Sequence, residues 1–148
     1  MKKFEFSLRG LLNARIAQKE AAELDVRLAQ QRLAAEETAL RNLNGQIAAL
    51  LSAPLPLERP TGNDFLLRDR YLASLKRRRK EQQTKRDQAA SAVAACLKKL
   101  QRADIELKKI EKLRDREYQD WTVEFRRDEQ KISDEIGMIL DFYQPRQL

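Results

Sequence analysis

The sequence predicts an all-α fold, a two-helix antiparallel coiled-coil hairpin whose second helix is the longer. Three observations predict it. A gap from Ala53 to Asn63 holds three of the four prolines. Apolar residues recur at three- and four-residue steps on both sides of that gap. Glycine is scarce, at 4 in 148 residues, and 36% of residues are charged, which suits long, surface-rich helices better than a globular core. The 42% apolar content, set out with helical periodicity, argues against disorder.

The first helix is predicted over about 5–52. Val26, Leu33, Leu40 and Ile47 are spaced by seven, and Ala22, Ala29, Leu43 and Leu50 fall on the alternate seam positions. Such spacing lays one apolar stripe on one face, which another helix must cover. Glu36 interrupts the second series. The proline loop follows over 53–63.

The second helix is predicted over about 64–142. Val93, Cys96, Leu100, Ala103, Leu107 and Ile110 step by three and four. One additional step of four runs through Arg114 to Tyr118, and the pattern resumes with Trp121, Phe125, Ile132, Ile136 and Ile139. An inserted step of four is a stutter, which locally unwinds a left-handed supercoil. At about 1.5 Å per residue the helices are expected to run roughly 70 and 115 Å. A linker of about ten residues cannot run back along the first of these, so the helices must be antiparallel. The whole chain, 1–148, then reads as a single coiled-coil domain shaped as a rod with one ragged end. Glu5 is expected near Lys112, Glu36 and Glu37 opposite Lys80 and Glu81, and about thirty residues of the second helix project past the first.

Three readings of the projecting apolar stripe stay open. Phe4, Phe6 and Leu8 fold over part of it, a second copy covers it, or it docks another protein. Charge is equally uneven. Residues 65–111 hold 14 Lys and Arg against 6 Asp and Glu, within a net charge of +7 for the chain. The excess peaks at Lys76-Arg77-Arg78-Arg79-Lys80, and from Lys76 to Gln88 no residue is apolar. That stretch is expected to pack loosely. It reads as a solvated face, as a match for an acidic protein surface, or as a nucleic-acid contact. No zinc-finger spacing or RNA-binding motif accompanies it, and direct nucleic-acid binding is not expected.

Catalysis finds little support. The chain has no His, which excludes the usual triads and imidazole metal sites. It has no glycine-rich phosphate loop. Cys96 sits on a seam position and reads as a small core residue. No catalytic, cofactor-binding or metal site is expected. The lone Cys fits a reducing compartment. Glu5 and Arg9 interrupt any signal-peptide core. The longest apolar stretch, Ile47 to Leu57, is too short to span a bilayer.

The opening Phe4-Glu5-Phe6-Ser7-Leu8-Arg9-Gly10-Leu11-Leu12, the proline-broken hairpin and two distal clusters resemble a known family. The clusters are Lys112-Leu113-Arg114-Asp115-Arg116 and Arg127-Asp128-Glu129-Gln130-Lys131-Ile132-Ser133-Asp134-Glu135. Nearly the whole chain resembles FliJ, the small coiled-coil component of the bacterial flagellar type III export apparatus. The related injectisome stalk proteins are similar; the Phe-x-Phe opening favours the flagellar form. The resemblance implies a non-enzymatic central stalk at the cytoplasmic face of the cell membrane. It implies binding to the hexameric export ATPase FliI, to the export gate FlhA and to export chaperones. It places the gate contact at Tyr71, Leu75, Arg78 and Gln82. It places the ATPase ring contact at Asp115, Arg116, Trp121, Arg127, Asp128, Gln130, Lys131, Asp134 and Glu135. The rival readings are a basic nucleic-acid-binding rod and a purely structural dimeric coiled coil.

Overall fold

The structure is a computed structural model that describes residues 2–55 and 58–144. Pro56 and Leu57 of the proline loop lie outside the described residues. Two helices make up the fold, α1 (Arg9–Ser52) and α2 (Gly62–Tyr143), and no strand occurs among the described residues. The chain divides into two compact units, Met1–Gln18 with Ala103–Leu148, and Lys19–Arg102. Each is an antiparallel pairing of α1 with α2. We call them the terminal unit and the loop unit.

In the loop unit the buried and half-buried residues of α1, Ala39 apart, follow one heptad seam: Lys19, Ala22, Val26, Ala29, Leu33, Glu36, Leu40, Leu43, Ile47 and Leu50. From Ala22 on this is the seam read from the sequence, Glu36 included. On α2 the matching seam is Leu72, Leu75, Arg79, Gln82, Arg86, Ala89, Val93, Cys96 and Leu100. It runs unbroken through the basic stretch, where loose packing was expected. Leu75 is fully excluded from solvent and Gln82 is 9% exposed. Long polar side chains hold the seam because their stems cover apolar surface while their heads stay solvated. The Gln82 amide donates to the Glu36 backbone carbonyl at 3.0 Å and also to the Glu36 carboxylate. Glu36 therefore meets Gln82, not Lys80 and Glu81. A polar pair on a coiled-coil seam specifies register at some cost in stability.

Both ends of α1 take their charge from α2. α1 has no acidic residue in its first turn and no basic residue in its last. In the loop unit the Arg68 guanidinium donates to the Leu50 carbonyl, one of the last carbonyls of α1. In the terminal unit Glu117 accepts from the Ser7 N–H at 3.2 Å and from the Ser7 hydroxyl at 2.5 Å, just ahead of α1. A cation at the C-terminus and a carboxylate at the N-terminus each complement the helix dipole. α2 caps itself: the Thr61 N–H and hydroxyl donate to the Asp64 carboxylate at 2.7 and 2.9 Å, a capping box that starts the helix at Gly62, two residues before the expected Asp64.

α1 also starts later than expected, at Arg9 and not Glu5. Residues 2–6 have no regular structure. The reason lies in Phe4 and Phe6. Residues two apart share a face in an extended chain and diverge on a helix. Extended, both rings reach α2. Phe6 is buried with Leu12, Leu107 and Ile110, and Phe4 packs against that cluster.

Candidate functional site

The terminal unit carries all nine of the ring-contact residues expected from the sequence. An aromatic ladder runs along α2 there. Tyr118 and Trp121 stack with centroids 5.9 Å apart, and Trp121 meets Phe125 at 5.0 Å. Phe4 closes over the ladder, edge-on to Tyr118 at 5.2 Å and tilted against Trp121 at 5.9 Å. Offset and edge-to-face pairs of this kind stabilise by about 0.5–1.5 kcal/mol each beyond their buried area.

The extended strap corrects the expected register. Glu5 was placed near Lys112, with about thirty residues projecting beyond. Extended backbone advances about 3.3 Å per residue against 1.5 Å in a helix, so Phe4 reaches Tyr118 and Trp121. An unbroken run of exposed residues begins only at Arg126 and continues to Gln144. The stutter is not at its expected place: Arg114 and Tyr118 are both exposed, and the half-buried residues are Glu117, Trp121 and Phe125, so the step after Arg114 is three and the extra step of four falls between Trp121 and Phe125.

Beyond Phe125 the helix has two faces. Ile132, Ile136 and Ile139 form a half-exposed apolar stripe, with exposures of 52%, 52% and 56%. At helical spacing Asp128 and Glu135 border that stripe. Arg127, Gln130, Lys131 and Asp134 occupy the opposite side, where Gln130 donates to Asp134 at 2.9 Å. Arg127, Asp128, Lys131 and Glu135 make no hydrogen bond or ion pair among the described residues. Further back, Arg114 lies 3.8 Å from Asp115 and Arg116 is exposed. The site is thus a lone two-faced helix end, with Trp121 apart from the charged residues in the strap-covered ladder.

The four residues read as the gate contact separate into two kinds. Tyr71, Leu75, Arg78 and Gln82 lie at helical steps on one stripe, but the seam runs along its edge. Leu75 and Gln82 are on the seam and buried against α1, whereas Tyr71 is half-exposed and Arg78 exposed. Phe65, Leu66 and Leu67, which the sequence reading did not single out, extend the exposed apolar surface toward the loop. Leu66 and Leu67 lie off the α2 seam, whereas Phe65 falls on it, seven residues before Leu72, and is still half-exposed. Cys96 is half-buried on the seam.

Two carboxylates are electrostatically distinct. Asp64 is held below the usual carboxylate range, first by the Thr61 backbone N–H and then by the Thr61 hydroxyl. Glu106 is lowered by its hydrogen bond from Lys109 at 3.0 Å, by the charge of Lys109 and, less, by that of Arg15. Asp64 is a helix cap and Glu106 a surface pair. Among the described residues no helix is long and apolar enough to cross a membrane.

A family profile described as "Flagellar FliJ protein" matches residues 4–145. No curated protein and no solved structure matches the chain.

Proposed function

The chain belongs to the FliJ family, and from that premise we propose that it is the non-enzymatic central stalk of the flagellar protein export apparatus. Its membership places it with flagellar export and type III secretion; the partners below are our reading. The end of α2 from Arg126 enters the ring of the hexameric export ATPase FliI and promotes its assembly and activity. The surface around Tyr71 and Arg78 meets the export gate FlhA, with Leu75 and Gln82 supporting it from beneath. Export chaperones bind the same protein, which works in the cytoplasm, peripheral to the inner face of the cell membrane through its partners.

One observation carries the ring assignment. From Arg126 onward α2 is helical with no half-buried or buried residue, and opposite charges are interspersed on one face. Exposed ion pairs contribute about 0–1 kcal/mol each, so such a face meets a ring of repeated loops through many weak contacts, none of which locks one pose. The profile's flagellar description favours the flagellar system over the injectisome.

The test is the rate and ring assembly of the cognate export ATPase with the full chain, with single charge reversals at Arg116, Arg127 and Lys131, and with all three combined. Each single reversal should lower stimulation little, and the triple should abolish most of it. A chain ending after Arg126 should also fail to stimulate, while keeping the Phe4 and Ser7 contacts that an earlier stop would remove. If either the triple variant or the shortened chain stimulates as well as the parent, the docking end lies elsewhere, and the loop end is the next place to look.

A further inference from the structure

The segment Lys2–Ser7 lies on α2 as a strap, and it does not fill the surface it covers. An open groove of about 700 Å3 remains beside Phe4, with Glu117, Asp120 and Glu124 along the helix wall, Lys2 and Lys3 along the strap and Trp121 between them. That volume falls within the range of ligand sites, about 300–1,000 Å3.

We infer that the Tyr118–Trp121 face is a docking groove for an extended segment of another protein that carries an aromatic residue behind basic residues, and that the strap is its internal placeholder. The seated segment displays the chemistry the groove accepts: a phenyl ring set edge-on to Tyr118 and tilted against Trp121, preceded by two lysines. Two carboxylates on the helix wall, Asp120 and Glu124, complement such a segment, while Glu117 is taken by Ser7. The strap is also held unevenly. Phe6 is buried in the core, Phe4 is only half-buried, and Lys2, Lys3 and Glu5 are exposed. Residues 2–5 can therefore leave the groove while Phe6 and the Ser7–Glu117 hydrogen bonds keep the rest of the strap in place.

The groove lies ahead of the ring contact proposed from Arg126 onward, and its test needs no ATPase, so the two readings fail separately. Trp121 is the chain's single tryptophan, and its emission reports occupancy. The probe is the capped peptide Lys-Lys-Phe-Glu, with Lys-Lys-Ala-Glu as its control. Both are titrated into the full chain and into its Phe4→Ala variant. A tethered segment competes at an effective concentration in the millimolar range, so the variant should bind the aromatic peptide at least about tenfold more tightly than the parent. The control peptide should bind neither. Phe4→Leu keeps an apolar side chain without the ring contacts, and should show the same order with a smaller gain even if Phe4→Ala loses helix. The inference is overturned if the aromatic peptide leaves Trp121 emission unchanged in both variants, or binds parent and variants equally. It is also overturned if sedimentation shows a dimer that Phe4→Ala abolishes, since the occupant would then be the strap of a second copy.

Discussion

Replacing Leu75 by Ala tests the assignment of this residue to the core. Leu75 is the one large side chain among the described residues that is fully excluded from solvent. Removing three buried carbons loses their transfer free energy and leaves a cavity, together about 2–5 kcal/mol in well-packed cores. Here the following seam positions are Arg79 and Gln82, whose long side chains relax into space more readily than a rigid apolar wall. The cost should therefore sit in the lower half of that range, about 2–3 kcal/mol. For a chain of this size each kcal/mol moves the thermal midpoint by about 2–4 °C, so the midpoint should fall by roughly 4–12 °C. Thermal unfolding followed by far-ultraviolet circular dichroism measures it. Tyr71→Ala is the companion, since a half-exposed surface side chain should change stability by no more than about 0.5 kcal/mol. An unchanged midpoint for Leu75→Ala, or equal losses for the two variants, would show that Leu75 is not packed as described. The outcome also decides which variants can report gate binding: Tyr71→Ala and Arg78→Glu keep the core, and any double variant that includes Leu75 does not.

Other consequences can be measured directly. Gln82→Ala should cost about 1–3 kcal/mol in urea unfolding, because the Glu36 carbonyl and carboxylate both lose a donor beneath the surface. Glu117→Ala removes both acceptors of Ser7 and the carboxylate ahead of α1; stability should drop by about 1 kcal/mol, with a red shift of Trp121 emission as the strap loosens. Asp64 has a folded pKa below its unfolded value, so its contribution is fully present above the unfolded pKa and is lost as pH falls through the folded one. Urea midpoints from neutral to strongly acidic pH should therefore decline less steeply at the acid end in Asp64→Asn than in the parent, and parallel curves would exclude the capping box as a source of that decline.

Much of the fold was legible because coiled coils write their contacts into residue spacing. Val26, Leu33, Leu40 and Ile47 lie on the observed seam, and so do Val93, Cys96 and Leu100. The seam was hidden between Lys76 and Gln88, where apolar type no longer marks it. Burial there follows position, so Gln82 goes inside because its place in the heptad faces α1. The resemblance-based gate contact suffered from the same ambiguity. Tyr71, Leu75, Arg78 and Gln82 share a stripe by spacing, and spacing cannot say which edge of that stripe the partner helix covers. The distal charged residues from Arg127 to Glu135 are exposed, because no helix lies opposite them.

The sequence by itself determined the helices, their break at the prolines, their antiparallel sense and the family. These follow from local chemistry: periodicity, the absence of helix breakers, and a linker too short for any other return. Only the tertiary structure decided where α1 begins and how its ends are satisfied. Phe4 and Phe6 leave the helix because only an extended backbone turns both rings toward α2. The ends of α1 lack charges of their own, and Glu117 and Arg68 supply them from α2. Such contacts join residues more than a hundred positions apart in one case and eighteen in the other, a pairing that no local pattern encodes.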